Sequence, residues 1–99
     1  MIMKWLDRYK HEVSIDNPVS MMYADVPNIE ICIHSYAGYG NGWYLSSREL
    51  QICAHNLGTD DFRTAIDEAV GVIRLELSRI NEAVNKLLAA FEDQDNVDQ

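Results

Sequence analysis

The chain has 99 residues, 47% of them apolar and 24% charged, with a net charge of −8 at neutral pH. That length predicts one domain with a small core. No apolar run is long enough to cross a bilayer, and an acidic surface repels nucleic-acid phosphates, so neither membrane insertion nor direct nucleic-acid binding is expected. The two cysteines, Cys32 and Cys53, are too few for a disulfide scaffold and are expected as thiols. The start is broken at once by Lys4, Asp7 and Arg8, unlike a signal peptide, so a cytoplasmic location is expected.

In chain order, Ile2, Trp5, Leu6, Tyr9 and Val13 sit at helical spacing, with Lys4, Asp7, Arg8 and Lys10 facing away. The pattern predicts a short amphipathic N-terminal helix. Asp16-Asn17-Pro18 and Pro27 punctuate a connection, with a short edge strand at 19–23. From Asn28 to Tyr36 the residues alternate. Ile29, Ile31 and Ile33 point one way, and Glu30, Cys32, His34 and Tyr36 the other, which predicts a half-buried strand. Glycines at 38, 40 and 42 predict a turn, and Trp43-Tyr44-Leu45 begins a second strand. Residues 46–57 fit either a strand or a capped short helix. The strand is preferred because a third strand makes the sheet viable, and a bend at Ser46-Ser47 could divide the region in two.

From Thr59 to about Glu92 the chain predicts one long helix, with Thr59 as N-cap and Asp60 and Asp61 favouring its positive end. Ile66, Val70, Ile73, Leu77, Ile80, Val84, Leu87 and Phe91 alternate spacings of four and three, the seam of a coiled coil. The apolar face is broad before Leu77 and narrows beyond it, so the first half suits a sheet and the second another helix. A rod of this length outruns a 99-residue globule, which favours a homodimer through Leu77, Ile80, Val84, Leu87 and Phe91. Isoleucines at the d-type positions disfavour a simple parallel zipper, so antiparallel pairing or packing of whole domains fits better. The competing reading is that the N-terminal helix of the same chain covers the seam. Residues 93–99 are expected to form a flexible acidic tail.

Three sets of residues could carry a function. Cys32-x-His34 and Cys53-x-His55, on neighbouring strands in register, would assemble a Cys₂His₂ zinc site. The set collapses if residues 47–57 are helical, and the bland alternative has the cysteines filling apolar gaps. Tyr36, Tyr39, Trp43 and Tyr44 crowd a glycine-rich loop and form a candidate recognition surface, unless Trp43 and Tyr36 belong to the core. Asp67, Glu68 and Glu82 lie on the helix as a solvated acidic face that could meet a basic protein. Residues 59–99 carry a net −6 and residues 1–58 only −2. Such a charge is drawn to basic surfaces, including those that normally hold nucleic acid, although it could serve solubility alone. No catalytic motif or phosphate loop is present.

Short length, a small sheet beside a helix, the absence of a catalytic motif and the excess of Asp and Glu resemble the small acidic accessory proteins of phages and mobile elements, including anti-CRISPR inhibitors. That resemblance implies stoichiometric inhibition of a host nucleic-acid-binding complex in a bacterial cytoplasm, and carries over no individual residue. The expected fold is α+β: a short N-terminal helix, a three-stranded antiparallel sheet and a long C-terminal amphipathic helix. The expected function is a non-enzymatic acidic protein that binds a basic protein partner and forms a homodimer. A small zinc-binding protein and a purely structural dimerisation module are the alternatives.

Overall fold

The computed structural model describes residues 3–35 and 42–97, with side chains of the helix as far as Gln94. Five strands form an antiparallel meander in sequence order: β1 (Trp5–Leu6), β2 (Met21–Ala24), β3 (Cys32–His34), β4 (Tyr44–Ser47) and β5 (Ile52–Asn56). One helix, α1 (Phe62–Val97), follows. The architecture is α+β as expected, but the sheet has five strands where three were expected.

Among the described residues the expected N-terminal helix is not formed. Trp5 and Leu6 pair with Ala24 and Tyr23, and the chain turns back so that the Val13 N–H donates to the Trp5 carbonyl at 2.8 Å. Asp7 is the reason. Its carboxylate accepts the Tyr9 and His11 amides at 2.8 and 2.9 Å, satisfying locally what a helix would need. Lys10 closes the turn at φ 70°. Trp5 is buried while Tyr9 is exposed, so the helical spacing does not mark one buried face. With β1 outside it, β2 is an inner strand and not the expected edge.

Residues 46–57 do form strand, divided by a tight turn at 48–51 with Gln51 at φ 57°. A register shift follows between Leu45 and Ser47, where Ala54 takes φ 46° and its N–H donates to Ser46 Oγ at 2.9 Å. Cys32 and His34 are buried although they face away from Ile31 and Ile33, so β3 is covered on both faces.

Met22, Ile33 and Leu45, all fully buried, form the centre of the core beneath α1. Ala65 and Ala69 face this layer, and their small side chains let the helix approach the sheet closely. Phe62 anchors the helix start between Trp43 and Trp5, with edge-to-face ring centroids at 4.8 and 5.6 Å. The Trp43 indole N–H donates to the Asp60 carbonyl at 3.0 Å. Gly42, at φ 111°, lies so close to this connection that a Cβ there would meet the Thr59 carbonyl oxygen at 3.0 Å.

The N-cap is Asp61, not Thr59. Its carboxylate accepts the Thr64 amide at 3.0 Å and the Thr64 hydroxyl at 2.7 Å. Thr59 Oγ1 accepts the Asp61 amide instead. At the other end α1 continues past the expected stop to Val97, so Glu92 and Asp93 lie on the helix. An unfavourable charge at a solvated helix end costs only about 0.3–1 kcal/mol, too little to stop the helix there.

Candidate functional site

The helix has 36 residues, about 54 Å at 1.5 Å each. The molecule measures 61 × 26 × 22 Å, and its radius of gyration is 17.5 Å, against about 13 Å for a compact chain of this length. The excess is the second half of α1, which projects beyond the sheet. Leu77, Ile80, Val84, Leu87 and Phe91 are 41–56% exposed along one stripe of that projection. The competing expectation, that an N-terminal helix covers them, fails because those residues are β1 and a turn. Leu88, also half exposed, widens the stripe beside Leu87. Sequence reasoning passed over it because it lies off the strict seam, yet its adjacency to Leu87 was a signal for a broader face.

Charges on the projection are arranged along its sides. Glu76 pairs with Arg79 at 3.0 Å and Glu82 with Lys86 at 3.4 Å, both within the helix. Asp67 and Glu68 are exposed and form no ion pair among the described residues. These three expected partner-binding acids are therefore on the surface, but Glu82 already has a basic neighbour.

The aromatic loop is not a single surface. Tyr36 and Tyr39 lie outside the described residues. Trp43 and Tyr44 are buried, which corrects their assignment to an exposed recognition surface. Trp43 holds the start of α1, and Tyr44 stacks on His34 with ring centroids 6.0 Å apart.

The zinc set does not assemble. β4 lies between β3 and β5, so Cys32 and His34 are never on a strand adjacent to Cys53 and His55. Cys32 and His34 are buried on the face away from α1, while His55 is exposed near Val72 and Glu76 on the helix side. Among the described residues no three His, Cys, Asp or Glu side chains come together as metal ligands.

His34 and Cys32 instead border a shallow concavity on the outer face of the sheet, with Tyr23, Ser46 and Cys53. His34 Nε2 lies 2.9 Å from Ser46 Oγ. That hydroxyl also accepts the Ala54 amide at 2.9 Å. Burial lowers the His34 pKa. Burial also pushes the Cys32 thiol up to about 11, partly offset by a hydrogen bond with Tyr23. A neutral imidazole and a protonated thiol suit packing better than nucleophilic or metal chemistry.

No family model, curated protein or solved structure matches this chain.

Proposed function

We propose that this chain is a non-enzymatic protein-binding protein whose working part is the projecting half of α1. The observation that carries the reading is the row Leu77, Ile80, Val84, Leu87 and Phe91, half exposed on a helix that has left its own sheet behind. Helical stability comes mainly from packing of an apolar face, and among the described residues nothing covers this one. A contiguous exposed apolar patch of this kind marks an interaction site. The net charge of −8, with Asp67 and Glu68 exposed, favours a protein partner with a basic surface over nucleic acid. A surface that ordinarily holds nucleic acid fits that description, and covering it would inhibit the complex that carries it.

The test is a paired substitution, Ile80→Lys with Leu87→Lys, on the full chain. Far-UV circular dichroism should retain the fold, while association with itself and with protein partners is lost. A wild-type chain that stays monomeric at high micromolar concentration and shows no stripe-dependent protein binding would sink the reading. Binding to a basic partner that persisted unchanged in about 1 M salt would remove the electrostatic part.

A further inference from the structure

The exposed stripe continues into a groove between α1 and the sheet. This cavity of about 430 Å³ is walled by Ile66, Val70 and Ile73 on the helix and by Met3, Val26 and Ile29 across from them. Leu77 belongs to both the groove and the stripe. One apolar face therefore runs the length of the seam, half groove and half ridge. We propose that a second copy of this chain covers it, with the two α1 helices antiparallel and Phe91 of each copy seated at the groove of the other, beside Ile73. The proposal rests on the reading that the stripe docks a protein; it assigns the stripe to a second copy and leaves a basic partner to the exposed acids Asp67 and Glu68.

The face complements itself in one register. Setting Ile80 across from Val84 of the second copy also sets Leu77 across from Leu87 and Ile73 across from Phe91. Every pairing joins two large apolar side chains over about 27 Å of helix. The two-fold axis of this register is level with residue 82, so the two Ala83 side chains lie one residue to either side of it, where their small size permits close approach. Beside the middle of the seam lie Asn81, Ala83, Leu88 and Ala90, with no charge among them, and Arg74 and Glu76 flank only its groove end. The charged residues Arg79, Glu82 and Lys86 fall farther round the helix.

Glu92 and Asp93 lie at the far end of α1, while the groove end carries exposed Arg74 and Lys4 together with exposed Asp67 and Glu68. Parallel pairing would abut two acidic ends and force both sheets to one end of the rod. Antiparallel helices also oppose their dipoles favourably. The isologous arrangement closes on itself, so it gives a dimer and not a filament.

Engineered disulfides in the full chain test the register. In a Cys53→Ser background, with Cys32 buried, Ala83→Cys should cross-link most of the chain as a dimer on mild oxidation. Leu87→Cys should cross-link little, because its neighbour is Leu77 and not Leu87. Phe91→Ala should weaken the dimer about tenfold or more while the sheet stays folded. The reverse cross-linking pattern means parallel helices and overturns the proposal. So does a dimer whose affinity ignores Phe91→Ala, or a wild-type chain that is monomeric. If that monomer still binds another protein through the stripe, only the second copy is wrong. If it binds nothing, the underlying reading falls as well.

Discussion

Replacing Leu87 by Ala probes the proposed dimer at a position of little consequence to the isolated chain. Leu87 is 56% exposed, and Ala is at least as good a helix former, so the monomer should change by no more than about 0.5 kcal/mol. The substitution removes three carbon groups, worth about 2.4 kcal/mol in full transfer from water at about 0.8 kcal/mol each. A little over half of that surface is open in the single chain, so covering it is worth about 1.3 kcal/mol per copy. The residue occurs twice in a dimer, giving about 2.7 kcal/mol, or roughly a hundredfold in Kd. Sedimentation velocity over a dilution series measures that shift. The control is Ile33→Ala, fully buried, which should cost the fold itself about 2–5 kcal/mol. A change in Kd below about threefold at Leu87, with the wild type dimeric, would refute the argument from exposed area.

Other expectations concern the sheet. Because burial holds the His34 pKa below 6.5 in the folded chain, the unfolded chain takes up the proton first as pH falls. His34 should therefore contribute fully above pH 6.5, lose stability as pH drops from there toward its folded pKa, and level off below. Urea melts of wild type and His34→Gln across this range should converge in shape only if that linkage is wrong. Iodoacetamide at pH 8 should label exposed Cys53 quickly and leave Cys32, buried with its pKa near 11, until the chain unfolds. Equal labelling of both thiols, followed by mass spectrometry, would contradict the burial of β3. Gly42→Ala should destabilise by more than about 1 kcal/mol, since the backbone is at φ 111° and a Cβ would press on the Thr59 carbonyl. A thermal melt unchanged from wild type would show that the connection can shift.

Local pattern made several elements legible. The four-and-three spacing from Ile66 to Phe91 announced the helix, where the signal repeats over many residues and reflects backbone geometry alone. The alternation around Ile31 and Ile33 announced a strand, but β3 spans only Cys32–His34 and is buried on both faces where a longer, half-buried strand was expected. The first thirteen residues misled because apolar residues at positions 2, 5, 6, 9 and 13 fit a helix. The Asp7 carboxylate then captured two backbone amides and turned the chain, a competition that spacing does not record.

The candidate site divides along the same line. That the stripe would stand clear of the sheet followed from length, because a rod of this size cannot be wrapped by so short a chain. Which aromatics were buried did not follow. Trp43 and Tyr44 are covered because Phe62, Asp60 and His34 come to them from distant parts of the chain. The strand order likewise separates Cys32 from His55, and no spacing between residues 32 and 55 could reveal that β4 would intervene. Periodicity is set by the backbone of each segment, whereas burial and convergence depend on which segments pair, and that choice is made only when the core closes.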